Sequence, residues 1–68
     1  MITEIGIIAG EIWHYLDKRG EVTLSELVQG IDKPWDLTLM SLGWLAREGH
    51  VRVQTDQSEL RVSLRQSA

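Results

Sequence analysis

Three arginines near the end of the chain, Arg52, Arg61 and Arg65, are the residues best suited by type and spacing to bind a charged ligand. They lie in two stretches where apolar and polar residues alternate, which predicts that they share one side of two strands. Together with Lys33, they would contact phosphates and position the protein on a nucleic acid without reading its sequence. The alternative is a solvated strand face whose arginines pair with Glu59 or with a carboxylate of a helix.

The charge balance disfavours a nucleic acid as the partner. The chain has 68 residues, seven basic and ten acidic, with a formal net charge of −3. Affinity for DNA comes largely from phosphate neutralisation by lysine and arginine. After Gly49, the sequence contains three arginines and only two carboxylates. This small local excess of positive charge produces only a weak electrostatic field.

No constellation of residues predicts catalysis or metal binding. His14 and His50 are far apart, neither has a companion at ligand spacing, and the chain has no cysteine. Asp32 and Asp36 lie one helical turn apart, but at a predicted helix start they are explained by capping and by the helix dipole. We therefore predict a non-enzymatic protein without a metal, cofactor or small-molecule site.

The elements that must position these residues follow from periodicity and from start and stop signals. We expect Thr3 to cap the first helix, Thr23 or Ser25 to cap the second, and Asp32 to open the third. Glycines are predicted to end all three helices, at positions 20, 30 and 49. The predicted elements are a helix over 3–19, a short strand over 21–23, helices over 24–30 and 33–48, and strands over 50–55 and 59–65.

This order of elements predicts an α+β fold of the winged helix-turn-helix type. Three helices are followed by a β-hairpin wing, and the short strand after the first helix pairs with the wing. We predict a single domain over residues 1–68. The N-terminal region lacks the features of a signal peptide, and no apolar run is long enough to span a membrane, so we expect a cytoplasmic protein.

Three stretches, "GEIWHYL", "TLSEL" and above all "SLGWLAREGHVRV", resemble a family of small, stand-alone bacterial winged-helix proteins of uncharacterised function. In that family, "GWLARE" closes the third helix just before the first wing strand. The resemblance covers nearly the whole chain. It implies the winged-helix fold and self-association, but no reaction and no ligand.

The first helix has two faces. Its core face is predicted to comprise Ile2, Ile5, Ile8, Ala9, Ile12 and Leu16. The other side carries Thr3, Gly6, Ile7, Gly10 and His14. The two glycines lie one turn apart, where another backbone could approach closely. Either a wing strand or the third helix of the same chain packs there, or the helix of a second subunit does.

The third helix is predicted to be apolar on two sides. One stripe contains Leu37, Met40 and Trp44 and is extended by Leu45, and the other contains Trp35, Leu39, Leu42 and Ala46. Either the same chain covers both stripes, or the second meets a partner through Trp35 and Leu39. Between its ends, this helix has no arginine, lysine, asparagine or glutamine to read bases. We therefore predict a homodimeric protein-interaction module, with a DNA-binding transcriptional regulator as the alternative.

Overall fold

The structure, a computed structural model, describes residues 1–65; positions 66–68 of the predicted domain lie outside the described residues. It contains three helices and three strands. They are α1 (Ile2–Arg19), β1 (Val22–Thr23), α2 (Leu24–Ile31), α3 (Trp35–Arg47), β2 (Val51–Thr55) and β3 (Leu60–Leu64).

The strands form one antiparallel sheet in the order β1-β3-β2. Val22 of β1 and Val53 of β2 both pair with Val62 of the central strand β3. Opposed residues in an antiparallel pair point to the same side, so the valines share the face that packs on the helices. Arg52 and Arg61 share the other face. Three helices and a sheet completed by a hairpin confirm the predicted winged-helix fold.

The hydrophobic core lies between α1, α2, α3 and the inner face of the sheet. Its buried side chains are Ile8, Ala9, Ile12, Leu16, Val22, Leu27, Ile31, Leu42, Leu45, Val51 and Val62. The predicted core face of α1 is wrong at its start, because Ile2 is 86% exposed and Ile5 is only partly buried. The first two turns of α1 extend beyond the other elements of the domain, which cover only the remainder of the helix.

Helix α2 begins at a capping box. The Thr23 hydroxyl accepts a hydrogen bond from the Glu26 backbone N–H at 3.2 Å, and the Glu26 carboxylate accepts one from the Thr23 backbone N–H at 2.8 Å. The latter bond is the main reason why the pKa of Glu26 is lowered. Of the two predicted caps, the structure therefore uses Thr23. The prediction of Thr3 as a cap is wrong, since α1 begins after Met1 with no side-chain cap.

The turn between α2 and α3 differs from the prediction. Gly30 lies inside α2, which ends at Ile31, and Asp32 follows in the left-handed conformation with φ of 56°. Asp32 therefore terminates α2 and does not open α3. Pro34 disfavours a helical conformation at Lys33, so α3 begins only at Trp35.

The C-terminus of α3 is closed by a Schellman motif. Gly49 has φ of 82°, a conformation that favours glycine. Its N–H donates to the Ala46 carbonyl at 3.1 Å, and the His50 N–H donates to the Leu45 carbonyl at 2.9 Å. The predicted glycine stop at position 49 is confirmed. His50 caps the helix through its backbone, while its ring lies beside that of Trp44.

The buried face of α3 takes in one edge of each apolar stripe that the sequence predicts, together with two polar residues between them. It presents Thr38, Ser41, Leu42 and Leu45, and the first two are fully buried. Their hydroxyls donate to carbonyls one turn earlier, at Pro34 and Leu37, so neither buried hydroxyl is left unsatisfied. Because small side chains occupy the centre of this face, the apolar stripes fall on its flanks, where each is partly exposed.

We expect Thr23→Ala to lower the free energy of unfolding by about 1 kcal/mol, because it removes the side-chain half of the capping box. Urea unfolding monitored by circular dichroism measures the effect. Thr3→Ala is the matched control and should leave stability within about 0.5 kcal/mol, as expected for an exposed position that caps nothing. Equal losses in the two variants would contradict the assigned cap.

Candidate interaction surfaces

The wing arginines do not form one free cationic patch. Arg61 is engaged by carboxylates: its Nε lies 2.8 Å from Asp56 Oδ2, and its Nη1 lies 3.7 Å from Glu21 Oε2. Hydrogen bonding to Asp56 raises the pKa of Arg61 and lowers the pKa of Asp56. The alternative of arginine–carboxylate pairing therefore holds for Arg61, with Asp56 and Glu21 as partners and not Glu59.

The other proposed cations are scattered. Lys33 lies in the turn between α2 and α3 and pairs with Glu11 of α1, Nζ to Oε2, at 3.7 Å. Within residues 1–65, no ion pair is found for Arg52 or Arg65. Arg65 follows β3, and its backbone N–H donates to His50 at the base of the wing. Only Arg52 and Arg65 therefore remain as candidate phosphate contacts.

The wing tip and the start of α3 carry negative charge. The turn between β2 and β3 contains Asp56 and Glu59, and the first turn of α3 contains Asp36. In helix-turn-helix DNA readers, the N-terminal residues of the recognition helix contact base edges in the major groove. The carboxylates at the wing tip and at the start of α3 would repel the phosphates of DNA.

The side of α1 that faces away from the core is solvent-exposed along its whole length. Thr3, Gly6, Ile7, Gly10 and His14, together called the outer α1 face, are all exposed, and Ile7 is 58% exposed. A Cβ atom added at Gly6 or Gly10 would have no atom within 4 Å. The hypothesis that a wing strand or α3 of the same chain fills this groove is therefore wrong.

A second apolar surface adjoins the outer α1 face at Gly6. A groove of about 360 Å³ between α1 and α3, the α1–α3 groove, is lined by Ile2, Ile5, Gly6 and Trp44. Trp44 is 48% exposed and Met40, one turn earlier on α3, is 47% exposed. The first apolar stripe of α3 is thus left half-covered beside the protruding start of α1.

Trp35 and Leu39 belong to a separate surface. They line a groove of about 340 Å³ between α2 and α3, the α2–α3 groove, together with Leu24, Ser25, Val28 and Gln29. Trp35 is 65% exposed. None of these six lining residues comes from α1, so the structure divides the predicted interface into two. Sequence reasoning missed Leu24 and Val28, whose spacing of one turn on α2 was the available signal.

Across residues 1–65, His, Asp and Glu side chains form no group of three arranged to hold a metal ion. In the same part of the chain, no helix has both the length and the apolarity needed to cross a bilayer. The exposed features that remain are the apolar surfaces on α1 and α3, the α2–α3 groove and the partly neutralised wing.

Comparison with known protein families agrees with this architecture. The family described as "Winged helix-turn-helix domain (DUF2582)" matches residues 1–64. The chain belongs to this family. The family description specifies the fold but no ligand or reaction, and it covers all six elements of the DUF2582 chain described above.

A solved structure shows the same fold. The chain is similar to protein BT2368 from Bacteroides thetaiotaomicron, a structural genomics target whose structure was determined by solution NMR. The two share 26% sequence identity and superpose with a TM-score of 0.80, over 91% of this DUF2582 chain and 76% of the other. No curated protein matches the sequence.

Proposed function

We propose that this protein is a non-catalytic interaction module that forms a homodimer through the outer α1 face and the adjoining α1–α3 groove. The observation that carries the proposal is the uncovered start of α1. Ile2 and Ile7 are mostly exposed beside two glycines that nothing in the described chain approaches. An exposed apolar surface of this kind is typical of a site that packs against another protein.

The exposed apolar area is large enough to support association. Met1, Ile2, Ile7, Met40 and Trp44 are each 47–86% exposed. Side chains of this size expose on the order of 100 Å² each, so the five provide roughly 500 Å². A standard interface buries about 800 Å² per partner. The rest of the buried area would come from the glycine backbone and from the polar residues of α1 around this face.

Charge favours a second copy on this face. A chain with a net charge of −3 repels itself wherever like charges meet. The five residues of the outer α1 face include no carboxylate, lysine or arginine, and nearby Glu4 is paired with the N-terminal ammonium group. Two copies can therefore meet here in an isologous contact without like charges facing each other.

Analytical ultracentrifugation tests the proposal. We expect a mass of about twice 7.7 kDa in the micromolar range, with a melting temperature that rises with protein concentration because dimerisation is linked to folding. A monomer that persists to millimolar concentration, with a melting temperature independent of concentration, would contradict it.

DNA binding is the second candidate function, and the observation that favours it is the absence of ion pairs at Arg52 and Arg65 within residues 1–65. Two phosphate contacts would give weak, steeply salt-dependent binding. We expect no binding of duplex DNA at physiological salt. Tight binding at low salt that Arg52→Gln and Arg65→Gln abolish would instead support a DNA-binding role.

A further inference from the structure

Strand β2 lies at the edge of the sheet and, within residues 1–65, pairs with β3 on one side only. At the base of the wing the Arg65 N–H donates to the His50 carbonyl, and at the tip the Asp56 N–H donates to the Glu59 carbonyl, both at 3.0 Å. Bonded and non-bonded pairs alternate along an antiparallel ladder. The even-numbered residues of β2 therefore direct their backbone groups toward β3, and the odd-numbered residues direct theirs outward.

The outward-directed and exposed backbone groups are those of Val53 and Thr55, together called the β2 edge. Among the described residues, backbone hydrogen bonds outside the regular helices and strands involve neither of them. Proteins commonly block an open edge with proline, a bulge or charged side chains. Strand β2 contains no proline, Arg52 is its one charged residue, and its register with β3 is continuous. The β2 edge can therefore accept another strand.

The side chains on the outer face beside this edge are complementary to themselves. Arg52 and Gln54 lie on that face, and the Asp56 carboxylate lies there too because it bonds Arg61, the residue opposite Gln54. No ion pair is found for Arg52 within residues 1–65. The Asp56 side chain is 48% exposed. Its carboxylate accepts from the Gln57 N–H and from Arg61 Nε, two of the about four bonds that a carboxylate can accept.

We propose that the β2 edge pairs with the β2 edge of a second copy of this chain, antiparallel and with the two-fold axis at Gln54. In this register, Val53 and the partner's Thr55 exchange backbone hydrogen bonds. Arg52 lies directly opposite the partner's Asp56, and the symmetry produces this ion pair twice. An axis at Val53 would lose both ion pairs, and an axis at Arg52 would place the two arginines opposite each other.

The chemistry of the edge favours a second copy over two other occupants. A nucleic acid would bring phosphates to Asp56, and like-charge contacts are costly. A strand of another protein would need a cation followed four residues later by a carboxylate, which is the spacing of Arg52 and Asp56 in this chain.

This contact does not rest on the proposed α1 dimer, because the β2 edge shares no residue with the outer α1 face or the α1–α3 groove. It is also weaker. Its backbone hydrogen bonds replace bonds to water and contribute little net affinity, so we expect a dissociation constant on the order of 1 mM. At micromolar concentration only the α1 contact is populated.

Exchange of charges between two full-length variants tests the register. Both carry Ile7→Glu to remove the α1 contact; one adds Arg52→Glu and the other adds Asp56→Lys. Each variant alone opposes like charges at both pairs, whereas an equal mixture opposes unlike charges at both. We expect each alone to associate roughly fivefold more weakly than the Ile7→Glu parent, and the mixture to recover the parental affinity. Concentration-dependent ¹⁵N amide shifts of Val53 and Thr55, followed to several millimolar, measure this.

The matched control makes the same charge changes on α1. Lys18→Glu and Asp17→Lys, both exposed and remote in sequence from β2, should show no gain on mixing. Thr55→Pro tests the backbone contact separately. It removes an outward N–H and no bond to β3, so the fold should persist by circular dichroism. Self-association of the Ile7→Glu chain should fall about tenfold.

Several results would overturn this inference. They are an Ile7→Glu chain with no shift at Val53 or Thr55 up to several millimolar, no recovery on mixing the β2 variants, recovery in the α1 control mixture, or undiminished association of Thr55→Pro. Ile7→Glu that abolished all association would refute the β2 contact and leave the α1 dimer standing. Charge exchange that succeeded while Ile7→Glu changed nothing at micromolar concentration would refute the α1 dimer and leave this inference intact.

Discussion

Ser41→Leu should destabilise the protein by about 3 kcal/mol, although it makes α3 more apolar and improves its helix propensity. Ser41 is fully buried on the core face of α3, and leucine adds three carbon atoms where no space is open. Overpacking of this kind costs about 1–3 kcal/mol and sometimes more. A domain of 68 residues has a stability of only about 3–10 kcal/mol, so a large part of it would be lost.

Urea unfolding measures this effect, and two variants serve as controls. Ser41→Ala removes a hydroxyl that bonds only within α3, to the Leu37 carbonyl at 2.8 Å, and should cost less than about 1 kcal/mol. Met40→Leu alters the neighbouring half-exposed position and should be close to neutral. A stable Ser41→Leu protein would mean that position 41 does not lie on the core face of α3.

Ile7→Glu should convert the proposed homodimer to a monomer. Ile7 is 58% exposed, so the monomer tolerates a carboxylate there, whereas a dimer would bury two opposed carboxylates near its two-fold axis. Loss of a central apolar contact costs about 2 kcal/mol or more, and burial of unpaired charge adds to this. The dissociation constant should therefore rise at least about 30-fold, as measured by sedimentation equilibrium.

Gln54→Glu is the charge-matched control for Ile7→Glu. It adds the same charge on the polar face of the wing and should leave the oligomeric state unchanged. Gly10→Leu completes the set, because it should raise the helicity of α1 while blocking close approach of a second helix. If Gly10→Leu raised stability and left the oligomeric state unchanged, the outer α1 face would be empty and the dimer proposal wrong.

The sequence by itself determined the fold class and some of the element ends. Alternation in the last sixteen described residues predicted the wing and the side on which its arginines lie, and the register confirms it. Gly49 predicted the end of α3, and Thr23 was one of two predicted caps for α2. These features depend on local periodicity and on backbone preferences of single residues, which the sequence displays directly.

Three features were decided by the tertiary structure. Thr38 and Ser41 are fully buried on the core face of α3 beside Leu42 and Leu45, although the apolar stripes did not predict it; their hydroxyls bond to carbonyls one turn earlier, so that burial leaves neither unpaired. Arg61 pairs with Asp56 and Glu21 and is therefore not part of a free cationic patch. Trp35 and the glycines of α1 were placed on separate surfaces.

Each of these three outcomes depends on which elements meet and at what distance, and a single chain's periodicity carries no information on that. The paired glycines of "IGIIAGEIW" show the limit most clearly. Their spacing predicted a groove that something fills, but only the packed fold shows that nothing in residues 1–65 reaches it. The start of α1 stays uncovered because the apolar core of this small domain begins only at Ile8.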